Sequence, residues 1–269
     1  MACAASSPSM RSCAAPEAWV TRAQPWLGTL VEIALPPADA TEPRFAAGFA
    51  AIAHVHRKMS PQEASSDLAS IAGDAHVRPV RIDPDTYAVL ELARALWQES
   101  GGLFDVTVAP AGRMAALHLE GACRVGTDEP LALDLGGIAK GYAVDRAVDA
   151  LKAAGALSGR VNAGGDLRAF GTKDWTPVHV RHPADPSRVV ALFEMGDAAV
   201  ATSADYFRDD PDVLFDPRSG RARAYGGSIT VVAPTCAQAD ALVKVIALDE
   251  ARTPLLERHG AQAFRLPAR

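Results

Sequence analysis

The stretch that decides the fold is LDLGGIAKGYAVDRAVDAL, residues 133–151. It sets an apolar strand end, an acid, a diglycine turn, a lysine and an amphipathic helix in one short run. Asp134 closes the strand. Gly136 and Gly137 let the backbone come close to a ligand, with no Cβ in the way. The pattern predicts a helix opening near Ile138, whose first N–H groups lack partners and carry partial positive charge. Lys140 adds a full charge in that first turn. Together these features make an anion site, and their order suits a diphosphate. A plain strand, tight turn and helix would use the same glycines, so that reading stays open here.

Outward from this unit, strands and helices intermix. Downstream, RVNAGGDLRAF at 160–170 reads as strand, glycine turn, strand. Further strands are expected at 178–181, 189–195, 213–215 and 228–232. Thr235 and Gln238 form a capping-box pattern ahead of a helix with Ala239, Leu242, Val243 and Ile246 inward. A helix around Leu255 and a strand at 262–266 close the chain. Upstream, residues 27–35 alternate as a strand that Pro36 and Pro37 stop. Phe45, Phe49, Ile52, His56 and Met59 share one helical face, and a short helix is expected at 67–71. Asp83 and Pro84 are an N-cap and first-turn proline for a helix ending at Gly101. Residues 104–108 read as a strand and 111–130 as a loop. Without regular β-α-β repetition the fold class is α+β rather than doubly wound. Residues 1–20 read as a tail and 21–269 as one domain.

Composition excludes several classes. Hydrophobic residues are 49% and charged residues 22% of the 269, which is ordinary for a globular chain. With 27 Lys+Arg against 32 Asp+Glu and no basic run, nothing points to nucleic acid. No apolar stretch approaches the roughly 20 residues of a membrane helix. Cys3, Cys13, Cys123 and Cys236 form no C-x-x-C pair and no zinc spacing, and read as scattered reduced thiols. No apolar signal core is visible in MACAASSPSMRSCAAPEAW, so the expected location is the cytoplasm. No G-x-G-x-x-G follows a strand, against a dinucleotide-dependent dehydrogenase. His54 and His56 point to different helix faces and make a poor chelating pair. His179 and His182 lie in or near a strand and a proline-containing loop, with no catalytic role expected.

Eight blocks in order make the chain resemble the FAD:protein FMN transferase (ApbE) family. They are LGT (27–29), MSPQEASSDLASI (59–71), SGGLFDVTVAP (100–110), LDLGGIAKGYAVD (133–145), VNAGGDLRAFG (161–171), ATSADYF (201–207), FDPRSG (215–220) and QADAL (238–242). The resemblance implies one α+β unit of two intimate subdomains with the flavin between them. It implies transfer of FMN from FAD, through a phosphoester, to a Thr or Ser of an acceptor protein, releasing AMP. Members often work outside the cytoplasm. A non-catalytic FAD-binding relative, or a Mg²⁺-dependent hydrolase giving FMN and AMP, are the alternatives. Carried over by position, Lys140 and Asp240 take the catalytic role. Leu27, Asp134, Gly136, Gly137, Lys140, Asn162, Thr202 and Leu214 contact the cofactor. The Gly137 carbonyl and Asp240 hold Mg²⁺, as hard oxygen ligands do.

Each carried-over residue has a plainer reading. Asp240 can be a solvated helix acid. Asn162, Gly164, Gly165 and Asp166 can shape a ligand-facing turn or simply join two strands. Asp105 orients the lobe interface or is a satisfied structural group. Thr202 and Ser203 hydrogen-bond a phosphate or ribose, or end a strand. Asp216, Pro217 and Gly220 read as a turn near the flavin.

The chain also departs from the family pattern. Lys244 stands where members carry a Thr as second metal ligand, four residues after the aspartate. An ammonium cannot ligate Mg²⁺, and Asp240–Lys244 is a favourable i,i+4 pair. Lys244 either replaces part of the metal's charge or faces solvent. Val213 replaces a His, Leu27 the flavin-packing Met, Pro61 and Gln62 an aromatic, and Ala72 an Asn. The segment between Pro110 and Leu131 is short.

Overall fold

The computed structural model describes residues 18–107, 112–171, 176–183, 185–204, 214–223 and 226–267. Along the chain lie β1 (Val20–Trp26), β2 (Thr29–Leu35), α1 (Glu42–Met59), α2 (Asp67–Asp74), β3 (Val80–Arg81), α3 (Pro84–Ser100), β4 (Leu117–Leu119) and β5 (Arg124–Thr127). Then come α4 (Ala139–Ala153), β6 (Gly159–Ala163), β7 (Asp166–Phe170), β8 (Thr176–His182), β9 (Asp185–Met195) and β10 (Ala199–Ala204). The remainder is β11 (Leu214–Asp216), β12 (Arg221–Arg223), β13 (Gly227–Ala233), α5 (Cys236–Leu248), α6 (Thr253–Arg258) and β14 (Gln262–Pro267).

Seven strands form one sheet in the order β1-β2-β6-β7-β10-β13-β14, and every neighbouring pair is antiparallel. The period of two sorts its residues. Val31, Ile33 and Leu35 of β2 with Val161 and Ala163 of β6 pack against Phe45, Phe49 and Ile52 of α1 and Val144, Ala147, Val148 and Leu151 of α4. On the opposite face, Ala169 and Val200 meet Val178 of the β8–β9 hairpin.

A larger core gathers α2, α3, α5 and the segments around Phe104 and Leu133. Helix α4 belongs to both cores. Ile138, Ala139 and Ala143 at its start lie in the larger one, and Val144 onward in the other. Its first turn therefore sits between the two cores, which is where the sequence placed the anion site.

Local chemistry explains the helix ends. Asp83 accepts the Asp85 N–H at 2.9 Å, and Gly101 ends α3 at φ 66°. Thr235 accepts the Gln238 N–H at the start of α5. Helix α4 has no side-chain cap of its own at Ile138. The Gly141 N–H of its first turn is answered from elsewhere in the fold, by Asp240.

Three expectations are corrected. Residues 131–135 alternate buried leucines but form no strand: Leu133 makes an isolated bridge to Thr107, and the Asp134 N–H reaches the Val106 carbonyl at 2.8 Å. The strand expected at 104–108 is that same single bridge, with Val108 outside the described residues. The expected loop at 111–130 contains the β4–β5 hairpin, part of a three-stranded sheet with β3. Strand β1, not read from the sequence, is an edge strand with five exposed residues in its middle and a proline at position 25. Residues 1–17, most of the expected tail, lie outside the described residues.

Candidate active site

A cavity of about 450 Å³ opens where the β1–β2 turn, the end of α1 and the start of α4 meet. Leu27, Gly28, His56, Met59, Asp134, Gly136 and Lys140 are among its walls. The β1–β2 turn is tight: Trp26 pairs with Thr29, and both turn residues have positive φ, 57° at Leu27 and 72° at Gly28. This is the two-residue hairpin geometry that Gly and Asn adopt freely and leucine does not. A strained leucine at a cavity mouth is a feature that functional sites retain.

At the other wall the diglycine loop is preformed. Asp134 Oδ1 accepts the Gly136 N–H at 2.7 Å, and the Ile138 and Ala139 N–H groups turn back to the Leu135 carbonyl. Gly137 lies over Lys244 and Phe104: a Cβ there would come within 3.6 Å of both side chains.

Beneath this loop four charges meet. Lys140 Nζ is 2.9 Å from Asp166 Oδ2 and 3.4 Å from Asp240 Oδ2, and donates to the Gly136 carbonyl at 3.4 Å. Lys244 Nζ is 3.5 Å from Asp240 Oδ1. Asp240 is wholly buried and Asp166 is 3% exposed, whereas the Lys140 and Lys244 side chains retain 28% and 23%. The carboxylates thus form the floor and the lysines rise toward the loop. Asp240 Oδ2 also accepts the Gly141 N–H at 3.3 Å, which supplies the α4 terminus with its missing partner. Asp240 Oδ1 is buried and accepts no hydrogen bond.

The electrostatics follow the geometry. Burial alone would lower the Lys140 pKa, but Asp240 and Asp166 outweigh it and hold the ammonium well above the usual lysine range. Burial and the nearby Asp240 charge push Asp166 up to about 6, against the pull of both lysines. Burial opposes ionisation of Asp240 too, yet Lys140 and Lys244 hold its pKa below the ordinary value. The cluster is a pair of lysines anchored on buried acids, with Lys140 at the cavity wall.

The remaining site candidates lie elsewhere. Asn162 and Thr202 line a second cavity, about 510 Å³, between the sheet and the β8–β9 hairpin. Asn162 Oδ1 accepts the Gly165 N–H at 3.0 Å within the β6–β7 turn, and Thr202 shares a 3.0 Å hydroxyl contact with Thr230 across β10 and β13. Leu214 packs half-buried on the larger core. Val213 lies outside the described residues. Asp216 binds Arg218 through both oxygens, at 3.0 and 2.8 Å. Asp105 accepts the N–H and hydroxyl of Thr107 and the Met114 N–H, a satisfied structural role.

Among the described residues, His54, Asp83 and Asp85 form a group whose ligand atoms lie within 4.8 Å of one another and that can hold a metal ion. Asp85 is already engaged by the Tyr142 hydroxyl at 2.9 Å and Arg146 at 3.2 Å. None of the three lines the Lys140 cavity.

Two site-building residues escaped the sequence reading. Asp145 accepts the Cys236 and Ala237 N–H groups, both at 2.9 Å, and so caps α5. Gly141 lets α4 and α5 touch, since a Cβ there would lie 2.3 Å from the Cys236 carbonyl oxygen. The available signal for Asp145 was its i,i+3 spacing from Val148 on the inward face, which sets an acid beside buried residues.

Comparison with known proteins gives a consistent result. The profile of the ApbE family matches residues 27–264. A Vibrio cholerae relative named FAD:protein FMN transferase is 29% identical over 226 residues, 70% of this chain and 68% of its own length. A Treponema pallidum relative of the same name is 28% identical over 236 residues, 68% of this chain and 65% of its own. Among solved structures, the flavin transferase ApbE from Vibrio cholerae superposes with TM-score 0.80 at 24% identity, covering 93% of this chain and 94% of that one. The Thermotoga maritima ApbE protein gives 0.79 at 24% identity, with the same coverage. These two structures speak to the fold alone.

Proposed function

The chain belongs to the ApbE family, and from that premise we propose that it transfers FMN from FAD, through a phosphoester, to a Thr or Ser hydroxyl of an acceptor protein. The observation that carries this reading is Lys140. It is a cation in the first turn of α4, held by Asp166 and Asp240 at the wall of a 450 Å³ cavity. The relatives' shared name supports FAD as the substrate.

Phosphoryl transfer asks the protein mainly for positioning and charge neutralisation. In this reading the diphosphate meets the diglycine loop and Lys140, while Leu27 and Met59 offer apolar wall to the flavin. The acceptor hydroxyl oxygen bonds to the FMN phosphorus. The phosphorus–oxygen bond to AMP breaks, AMP leaves with the electron pair, and the hydroxyl proton passes to water. Asp166 and Asp240 hold the ammonium in place and do not touch the reacting atoms.

Mg²⁺ at the Gly137 carbonyl and Asp240, as the resemblance implies, fits these residues poorly. The unpaired Asp240 Oδ1 is the kind of atom a cation takes, but the Lys244 ammonium already faces it at 3.5 Å. Lys140 stands 3.4 Å from the other oxygen. Two ammonium groups and two carboxylates balance, and a dication added there would meet like charge.

The test is incubation with FAD and a flavinylation-competent acceptor, followed by covalent flavin fluorescence of the denatured acceptor. Fluorescent acceptor that disappears with Lys140→Ala is the expected result. AMP release with a dark acceptor replaces this reading with FAD hydrolysis. FAD binding without AMP release replaces it with a binding protein.

A further inference from the structure

We propose that Lys244 is a built-in replacement for a divalent cation, so that this chain binds the FAD diphosphate without metal. The inference rests on the FAD reading above and deepens it.

Four observations carry it. Lys244 is one helical turn after Asp240 on α5, and its ammonium faces the one Asp240 oxygen that accepts no hydrogen bond. Its stem runs under the diglycine loop: a Cβ on Gly137 would be 3.6 Å from Lys244 Cγ and 3.9 Å from Cε. The ammonium is thereby placed between a buried carboxylate and the backbone of the phosphate loop. Its side chain is 23% exposed, against none for Asp240, so it does not lie sealed in the core. Finally, the cluster is charge-balanced as it stands, two lysines against Asp166 and Asp240. A buried pair of acids facing only Lys140 would keep one uncompensated negative charge and attract a cation. Lys244 removes that need and leaves its own N–H donors for the ligand.

A lysine does this differently from a metal. An ammonium is a point charge with three rotatable donors. It neutralises phosphate oxygens and donates to them, but it cannot ligate them or activate a water. It is also permanently attached, so its contribution cannot be removed by chelation.

The experiment is a titration of the purified chain with FAD, followed by flavin fluorescence, in EDTA and again in MgCl₂. The expected wild-type result is a Kd that agrees between the two media to within about twofold. Lys244→Met is expected to weaken FAD binding in EDTA by about tenfold or more, the scale of a lost charge-assisted hydrogen bond, while Lys244→Arg largely keeps it. Lys244→Thr restores a hydroxyl beside Asp240 and is expected to make binding Mg²⁺-dependent, tighter by about tenfold in MgCl₂.

A wild-type Kd that tightens about tenfold in MgCl₂ overturns the proposal and leaves the FAD reading intact. A folded Lys244→Met chain with unchanged affinity in EDTA also overturns it, as does a Lys244→Thr chain indifferent to Mg²⁺. Absence of FAD binding by the wild type in both media overturns the FAD reading, and this inference with it. Circular dichroism checks that each variant folds. If Lys244→Met does not, the wild-type comparison and Lys244→Arg still decide.

Discussion

Asp145 and Asp240 each cap the helix that carries the other. Asp145, on α4, accepts the Cys236 and Ala237 N–H groups at the start of α5. Asp240, on α5, accepts the Gly141 N–H in the first turn of α4. The exchange locks two helix N-termini side by side and buries both acids. It also fixes the height at which Lys140 leaves α4, because Lys140 and Gly141 both lean on the same Asp240 oxygen. The anion site is therefore a product of helix packing, with the loop glycines as its visible part.

Removing Asp145 should be costly. Its carboxylate serves two helix N–H groups and Arg168, at 2.6 Å. Asp145→Ala leaves all of them short of a buried partner, with an expected loss of about 3 kcal/mol. Asp145→Asn keeps one acceptor and should lose less. Urea unfolding of the variants measures this. An Asp145→Ala chain as stable as wild type would show that the reciprocal capping contributes nothing.

Gly141→Ala would be neutral or helpful on an ordinary helix, by about 1 kcal/mol of propensity. Here the new Cβ would sit 2.3 Å from the Cys236 carbonyl oxygen and 2.8 Å from the Ala237 nitrogen. Backbone cannot step aside as a side chain can, so α4 and α5 must separate. The expected net effect is destabilisation by about 1–3 kcal/mol, read by thermal unfolding, together with weaker FAD binding as Lys140 shifts. A stabilised variant would contradict the contact.

Much of this fold was legible. The inward face of α4 at Val144, Ala147, Val148 and Leu151 follows the helical period, and Asp83, Thr235 and Gly101 mark helix ends by chemistry that acts within a few residues. The β4–β5 hairpin was not legible, because its turn uses Gly121, Ala122 and Cys123 at φ 80°, 47° and 58°. Alanine and cysteine rarely take that conformation, so Gly121 is the one turn signal written there. Leu131, Leu133 and Leu135 alternate like a strand because burial on one side alternates them. A ladder needs a partner along its length, and among the described residues Thr107 alone supplies one. The site divided the same way. Lys140 and the Asp240–Lys244 pair could be read from local spacing, whereas the junction of Lys140 with Asp166 and Asp240 joins residues far apart in the chain.

Asp166 gives the pH signature. Its folded pKa lies near 6, above the ordinary 3.8. Between those values the native state binds more protons than the unfolded chain, so stability falls as pH rises through that window and then levels off. Asp166→Asn cannot ionise and lacks this term. The stability of the variant relative to wild type should therefore rise from pH 4 to pH 7, by on the order of 2 kcal/mol. Melting curves of both proteins across that range provide the comparison. A constant difference, or one that shrinks with pH, would place the Asp166 pKa at or below its ordinary value.

Leu27 separates a functional role from a structural one. Its φ of 57° costs a leucine energy that asparagine largely avoids, yet its side chain packs at the edge of both main cores and lines the Lys140 cavity. Leu27→Asn relieves the strain and gives up apolar contact, two effects that should cancel to within about 1 kcal/mol. Thermal stability should then barely move. FAD affinity should fall by about fivefold or more, since the polar amide replaces apolar wall where the flavin is proposed to lie. If affinity holds while stability drops, Leu27 is a packing residue and the flavin lies elsewhere. If both hold, neither the strain nor the wall matters to this protein.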